Sequence, residues 1–154
     1  MRKYEEIKKI VEKEKVDYMF CKGDDSFFKW FVGKNISHSL LFLGGARPLM
    51  FKSPLETFSD ENYELISINE AEELLKKKLG VDTSKVSIKL KKDMGEVIDV
   101  GSYMNELRSI KEKDEIGFIK KACSHADTCI GRIIENFKSF RTEKDVEKYI
   151  RSYA

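Results

Sequence analysis

The sequence predicts an α/β domain built from a mixed sheet flanked by helices. Short apolar runs typical of strands alternate with amphipathic segments whose apolar residues recur every three or four positions. One β-hairpin, with Gly44-Gly45 at its turn, lies among these elements and adds antiparallel pairing to the sheet. Together these observations indicate a domain of about 110 residues.

The first elements follow from apolar spacing. A helix is predicted over 2–14 because Tyr4, Ile7 and Val11 lie on one face. The run that follows it, residues 16–21, is apolar and bounded by polar residues, which is typical of a strand.

End signals define the next helix and the hairpin. Asp24, Asp25 and Ser26 supply capping oxygens for a helix that runs to about residue 31, and Gly33 ends it. The hairpin strands are predicted over 38–43 and 47–52.

The middle of the chain continues the alternation of helices and strands. Its predicted elements are a short helix opened by Pro54, a strand over 65–68, a helix over 70–79 capped by Asn69 and ended by Gly80, strands over 86–90 and 97–100, and a helix over 102–107.

A long amphipathic helix is predicted over 112–137, and another helix starts at Thr142. The long helix has one apolar stripe, formed by Ile116, Ile119, Cys123, Ala126, Ile130, Ile133 and Phe137. We interpret 1–110 as one domain and 111–154 as the start of a second, truncated domain. Because an exposed stripe of this size would be adhesive, we expect it to be covered by oligomerisation or by folding back onto the first domain.

The composition is that of a globular protein with a heavily charged surface. Hydrophobic residues make up 41% and charged residues 36%, and the net charge of +2 is too small to indicate a nucleic-acid partner. No run approaches the roughly 20 apolar residues of a membrane span, and the N-terminus lacks the apolar core of a signal peptide. Three cysteines without framework spacing favour free thiols, so we expect a cytoplasmic protein.

The segment from Glu106 to Glu143 resembles the entry into the pita-bread domain of the M24 metallopeptidases. This family includes the Xaa-Pro dipeptidases (prolidases), aminopeptidase P and creatinase. The residues that match its linker motif and its first two helices are Leu107, Arg108, Ile110, Lys111, Glu115, Ile116, Ala122, Ala126 and Thr142-Glu143.

The preceding part of the chain is similar to the creatinase-type N-terminal domain. Residues 16–20 resemble its first strand, and residues 26–33 resemble its Tyr-Leu-Thr-Gly segment, with Trp30 and Phe31 in the aromatic and leucine places. The resemblance covers nearly the whole chain. It implies a creatinase-type N-terminal domain followed by the first helices of a truncated pita-bread domain.

The resemblance implies that this chain itself carries no catalytic, cofactor-binding or metal-binding residue. The family binds two divalent metal ions (Mn, Co or Zn) through two aspartates, a histidine and two glutamates in the later part of the catalytic domain, and uses them to hydrolyse short Xaa-Pro peptides. It also implies a homodimer, with no nucleic-acid or membrane partner.

The resemblance also implies that one loop lies near the substrate. In prolidases of this family, the loop after the Tyr-Leu-Thr-Gly segment reaches toward the partner subunit's active site and carries a histidine. Here the loop is 33–38, with Lys34 and Asn35 in it and His38 in the place of that histidine. The alternative is that His38 is a strand-edge histidine with a local hydrogen bond.

Three other groups have a structural interpretation beside a functional one. Adjacent Asp24 and Asp25 are typical of a helix cap more than of a metal site. Cys123 lies off the helix face shared by His125 and Cys129, and a zinc site needs four ligands. The lysines at 76–78 and from 85 to 92 lack arginines and interleaved aromatics, which favours a solvated surface over a phosphate site.

The sequence therefore supports two classes of function. The first is a non-catalytic N-terminal domain that dimerises a prolidase-like enzyme and restricts access to its active site. The second is a stand-alone, non-catalytic protein-binding module that uses its helical tail. A basic RNA-binding domain is a third, less favoured class.

Overall fold

The computed structural model describes residues 2–57 and 61–152. The chain divides into two compact units, residues 1–110 and 111–154. The assignment of these units to a creatinase-type domain and to the start of a pita-bread domain stays a prediction.

Within the described residues, the first unit contains a mixed sheet of six strands in the order β4-β3-β2-β1-β5-β6. The central strand β1 pairs antiparallel with β2 and parallel with β5. The antiparallel pair β2–β3 is the predicted hairpin, and β4 and β6 add parallel pairs at the two edges. The strands are β1 (Tyr18–Lys22), β2 (Leu40–Leu43), β3 (Leu49–Phe51), β4 (Glu64–Leu65), β5 (Leu79–Val81) and β6 (Val97–Asp99).

Helices cover both faces of this sheet, so the prediction of a mixed sheet flanked by helices is confirmed. The helices of the first unit are α1 (Arg2–Glu14), α2 (Ser26–Val32), α3 (Ile68–Leu75), α4 (Ile88–Asp93) and α5 (Gly101–Ser109). Side chains alternate along a strand, and in β1 the buried Met19 and Cys21 join one apolar cluster with residues of α1, α2 and α5. Phe20 joins the opposite cluster, with residues of α3 and α4.

The predicted ends of α2 are found in the structure. The Asp25 side chain accepts a hydrogen bond from the Phe27 N–H at 2.8 Å. Gly33 adopts the left-handed conformation, with φ 89°, and its N–H donates to the Lys29 carbonyl. This confirms the capping interpretation for Asp25, whereas Asp24 Oδ1 lies 3.5 Å from the Lys22 Nζ.

The predicted helix over 70–79, capped by Asn69, is wrong at both ends. Helix α3 is capped by Ser67, whose side chain accepts from the Glu70 N–H while the Glu70 carboxylate accepts from the Ser67 N–H. It ends before Leu79, which begins the buried parallel strand β5. Gly80 lies inside that strand, where an added Cβ would meet Val100 at 3.1 Å.

The predicted strand over 86–90 is also wrong. The alternation of apolar and polar residues there resembles a strand, but Ser87 caps helix α4 by accepting a hydrogen bond from the Leu90 N–H. A local side-chain cap therefore outweighs an alternation that spans only five residues.

Three smaller boundaries differ from prediction. Pro54 does not open a helix within residues 53–57; a turn lies there, with the Glu56 N–H bonded to the Ser53 carbonyl. The strand expected over 65–68 is limited to β4, because Ser67 already caps α3. Strand β2 begins at Leu40 instead of His38, because His38 has a positive φ of 54°.

The second unit contains helices α6 (Lys113–Glu135) and α7 (Glu143–Arg151), with a short 3-10 helix, Phe137–Ser139, after α6. Helix α7 begins, as predicted, at a Thr142 cap, where the Thr142 hydroxyl accepts from the Asp145 N–H. Tyr149 packs edge-on against Phe140, with ring centroids 5.2 Å apart. Helix α6 has no buried residue.

None of the helices in the described parts of the chain has both the length and the apolar character needed to cross a membrane.

The buried face of α1 should be sensitive to the volume of Ile7, which is fully buried. We expect Ile7→Val to lower the free energy of unfolding by about 0.5–1.5 kcal/mol and Ile7→Ala by about 2–5 kcal/mol, because each substitution leaves a larger cavity. Urea unfolding followed by the fluorescence of Trp30, the sole tryptophan of the chain, reports on this unit.

Leu55→Ala is the matched control, because Leu55 is 93% exposed. It should change the free energy of unfolding by less than about 0.5 kcal/mol. Equal losses for Ile7→Ala and Leu55→Ala would contradict the described packing of α1.

Candidate functional site

The loop that sequence analysis selected connects α2 to β2. Lys34, Asn35 and His38 are exposed on it, whereas Ile36, which lies between them, is 2% exposed and belongs to the apolar cluster beneath. The three predicted residues therefore lie on one loop that is fixed to the core at its middle.

The backbone around the loop has two left-handed residues. Gly33 begins the loop at φ 89°, which suits glycine. His38 ends it at φ 54°, a conformation that costs energy for a residue with a Cβ, although histidine is among the residues that adopt it more often. His38 lies two residues before β2, so it is a loop residue and not part of the strand edge.

A charged cluster lies at the carboxyl ends of β1 and β5, the end of the sheet at which the loop enters β2. The Lys85 Nζ lies 3.1 Å from Asp25 Oδ1, 3.2 Å from Asp82 Oδ2 and 3.1 Å from Ser26 Oγ. Asp25 follows β1 and caps α2, whereas Asp82 follows β5 directly. Since β1 and β5 are parallel neighbours, their carboxyl ends bring these side chains together.

The ionisation of this cluster is shifted toward its charged form. Burial acts to raise the pKa of Asp82, but hydrogen bonds from Ser84 and Lys85 outweigh it and hold that pKa below its ordinary value. Burial acts to lower the pKa of Lys85, and its hydrogen bonds with Asp25 and Asp82 raise that pKa above its ordinary value. The ion pairs of the cluster therefore connect the start of α2 to the end of β5.

The sequence did not reveal this cluster. Asp82 and Lys85 fell between a helix and a strand that were both wrongly assigned, so nothing marked Asp82 as the end of a strand. The sequence feature that indicates the cluster is the short apolar run 79–81, a buried strand, followed directly by Asp82.

The two metal ions that the family resemblance implies do not fit the described side chains. Across residues 2–57 and 61–152, no three His, Cys, Asp or Glu side chains are grouped as metal ligands. The carboxylates of Asp25 and Asp82 are already bonded to Lys85 and to backbone or hydroxyl donors.

Several of the lysines considered as an anion site are engaged in ion pairs. Lys76 lies 2.6 Å from Glu73, Lys78 lies 2.9 Å from Glu96, and Lys85 bridges two carboxylates. These pairs leave a mixed surface of both signs, consistent with the interpretation of a solvated face.

A groove of about 670 Å³ lies between α3 and α4 in the first unit. Its apolar lining includes Ile68, Leu75 and Met94, and its charged lining includes Glu72 and Lys92. It contains none of the predicted substrate-proximal residues Lys34, Asn35 and His38, although Lys76 and Lys92, from the lysine groups considered as an anion site, line it.

The fold is the class found in the N-terminal halves of peptidases that act on Xaa-Pro peptides. Over 99% of this chain, the structure is similar to a prolidase from Pyrococcus horikoshii, with a TM-score of 0.78 and 22% identity. A Xaa-Pro dipeptidase from Bacillus anthracis matches over 99% of the chain, with a TM-score of 0.81 and 16% identity. Each match covers 48% of the solved chain, so this protein spans about half the length of those structures.

A third similar structure is an aminopeptidase P from Streptococcus thermophilus, with a TM-score of 0.57 and 16% identity. That match covers 70% of this chain and 96% of the solved chain. No family model and no curated protein matches the sequence. At these identities the comparisons establish the fold, and at that level they confirm the resemblance read from the sequence.

The Lys85 cluster should make the stability of the first unit depend on pH. The lowered pKa of Asp82 means that its contribution to the free energy of unfolding is present above the ordinary aspartate pKa of about 3.9 and is lost as the pH falls through its folded-state value. We expect Asp82→Asn to be less stable than the parent chain at pH 7 and to lose less stability on acidification.

Urea unfolding between pH 7 and pH 2.5, followed by Trp30 fluorescence, measures this effect. Asp93→Asn, at an exposed position on α4, is the matched control and should lose stability in acid much as the parent chain does. If Asp82→Asn had the same acid profile as the parent chain, the described cluster would not contribute to stability.

Proposed function

We propose that this chain is the non-catalytic N-terminal domain of a Xaa-Pro dipeptidase-like metallopeptidase, joined to the first helices of the catalytic domain. Its role is to dimerise the enzyme and to restrict its active-site entrance to short peptides. The observation that carries the proposal is that a prolidase and a Xaa-Pro dipeptidase both match 99% of this chain over only 48% of their own length.

The proposal gives the exposed loop its function. Lys34, Asn35 and His38 would lie near the substrate in the partner subunit's active site. All three side chains are exposed on the side of the fold where the carboxyl ends of β1 and β5 lie, and so are accessible to another subunit. Their chemistry suits hydrogen bonding to a short peptide, since lysine and asparagine donate and histidine donates or accepts.

The catalytic chemistry would belong to the rest of the protein. Two divalent metal ions, Mn, Co or Zn, would activate a water molecule there for hydrolysis of the bond preceding proline. A homodimer is the expected form. The free thiols of the buried Cys21 and of the more accessible Cys123 and Cys129 support a cytoplasmic location.

Helix α6 supports an interaction role for the second unit. It is 23 residues long and exposes large apolar side chains, among them Ile119 at 47% and Ile130 at 55%. An exposed apolar surface of this kind promotes aggregation in an isolated chain and is typical of a protein–protein interface.

A chimaeric enzyme tests the proposed function. The N-terminal half of the Pyrococcus horikoshii prolidase would be replaced by this chain, and the purified chimaera assayed for hydrolysis of Xaa-Pro dipeptides and of longer Xaa-Pro peptides. We expect a dimer that prefers dipeptides, and we expect His38→Ala to raise its KM. The prolidase catalytic half alone is the control.

The chimaera could fold and dimerise but hydrolyse dipeptides and longer peptides at the same relative rates as the catalytic half alone. That result would contradict the gating role. A monomeric chimaera would remove the dimerisation role.

A stand-alone protein-binding module is the second candidate. It is favoured by the apolar surface of α6. Capture of a partner of defined stoichiometry by this chain, combined with failure of the chimaera, would favour this candidate over the first.

The exposed face of α6 should drive association of the isolated chain. We expect the double substitution Ile119→Glu and Ile130→Glu to reduce self-association at least tenfold, because two charges would have to be buried in the contact. Sedimentation velocity over a concentration series measures this.

Lys121→Gln with Lys138→Gln is the control, since it makes the net charge of the second unit more negative by the same amount but removes no apolar side chain. Association that is equally weakened in both variants would show that charge, and not the apolar face, determines it.

A further inference from the structure

The loop at 33–38 is anchored to the protein at two points. Ile36 is 2% exposed and packs in the apolar cluster with α1, α2 and α5. Ser39, at the end of the loop, is also 2% exposed, and its carbonyl accepts a hydrogen bond from the Gly23 N–H at 2.8 Å. Ser37 and His38 therefore lie between two buried residues, Ile36 and Ser39.

Gly23 makes this anchoring possible. It follows β1 directly and packs against the loop backbone, where a Cβ at position 23 would lie 1.7 Å from the Ile36 carbonyl oxygen. The Gly23 carbonyl also accepts from the Ile36 N–H at 3.3 Å. Any other residue at position 23 would force the loop away from β1.

These contacts account for the backbone of His38. The position of Ile36 is fixed by its burial, and that of Ser39 is fixed by its bond to Gly23, which leaves the two intervening residues to close a short path. The chain closes it with His38 at φ 54°. Such a conformation persists only where surrounding contacts impose it.

We propose that Gly23 and Ile36 form a clamp that holds the loop in one conformation and fixes the backbone of His38, from which its side chain projects. In this assignment Gly23 and Ile36 are positioning residues that act through His38. The effect of the clamp on substrate binding rests on the proposed function. A loop that is already ordered binds a ligand without the entropic cost of ordering the loop. The clamp itself is a property of this chain.

NMR of the 154-residue chain tests the clamp directly. We expect backbone order parameters of residues 34–38 close to those of the strands, and a His38 Cα chemical shift typical of the left-handed conformation. Ile36→Ala should lower the order parameters of the loop below about 0.6 and return the His38 shift toward extended values. Ile36→Val should restore both, because it refills most of the pocket.

Two controls separate positioning from general loss of stability. Met104→Ala removes a fully buried side chain from the same apolar cluster on α5, and should leave the loop spectra unchanged. Gly45→Ala adds a Cβ where the nearest atom lies 3.6 Å away, and should be tolerated, whereas Gly23→Ala should shift the loop resonances.

The outcomes are decisive in either direction. A loop that is already mobile in the unmodified chain, or that stays ordered in Ile36→Ala, overturns the clamp. In the chimaera, Ile36→Ala should raise KM several-fold with little change in kcat, and should add nothing to His38→Ala. If the NMR results hold while the chimaera shows no dependence on His38, the clamp stands and the proposed role of the loop near the substrate fails.

Discussion

Burial of β1 on both of its faces is the constraint on which the first unit depends. Met19 and Cys21 lie on one side and Phe20 on the other, so neither helical layer can form its core without this strand. Its backbone pairs with an antiparallel neighbour on one edge and a parallel neighbour on the other, which makes the sheet mixed. The two kinds of pairing also bring the α2 cap, the Lys85 cluster and the 33–38 loop to the same end of the sheet.

Polar groups at that end of the sheet stabilise local structure. Asp25 caps α2 and, in addition, accepts from Lys85, so one carboxylate joins a helix start to the residues after β5. Near the other end of β1, the Tyr4 hydroxyl donates to the Gly45 carbonyl and accepts from the Gly44 N–H, which fixes the hairpin turn to α1. The contacts of Asp25 with Lys85 and of Tyr4 with the hairpin turn join segments far apart in sequence and hold these loops against the helices.

The outline of the fold could be predicted from the sequence, whereas its middle could not. Signals that act within a few residues, such as the Asp25 cap, the Gly33 end and the Thr142 cap, gave correct helix boundaries. Strand β5 is only three residues long and contains a glycine, so its identity depends on pairing with β1 and β6 rather than on its own composition.

The candidate loop shows the same distinction. Its exposed residues could be selected from a family resemblance, but its anchoring by Ile36 and Gly23 could not, because a single buried isoleucine in a polar loop has no periodicity. The Lys85 cluster could not be predicted for a related reason. Asp25 and Lys85 are 60 positions apart, and they come together only because β1 and β5 are neighbouring strands.

The pairing of β1 with β5 has a consequence for how the chain acquires its structure. Tyr18 meets Leu79, and the core is completed only by Val100 and Met104, so a nascent chain that ends before β5 can pair β1 to β4 but lacks β5, β6 and part of the core. Parallel pairing across such a separation carries a loop-closure cost before any contact repays it. The first unit should therefore remain without a stable core until nearly all of its residues have been synthesised, and then fold in one late, cooperative step.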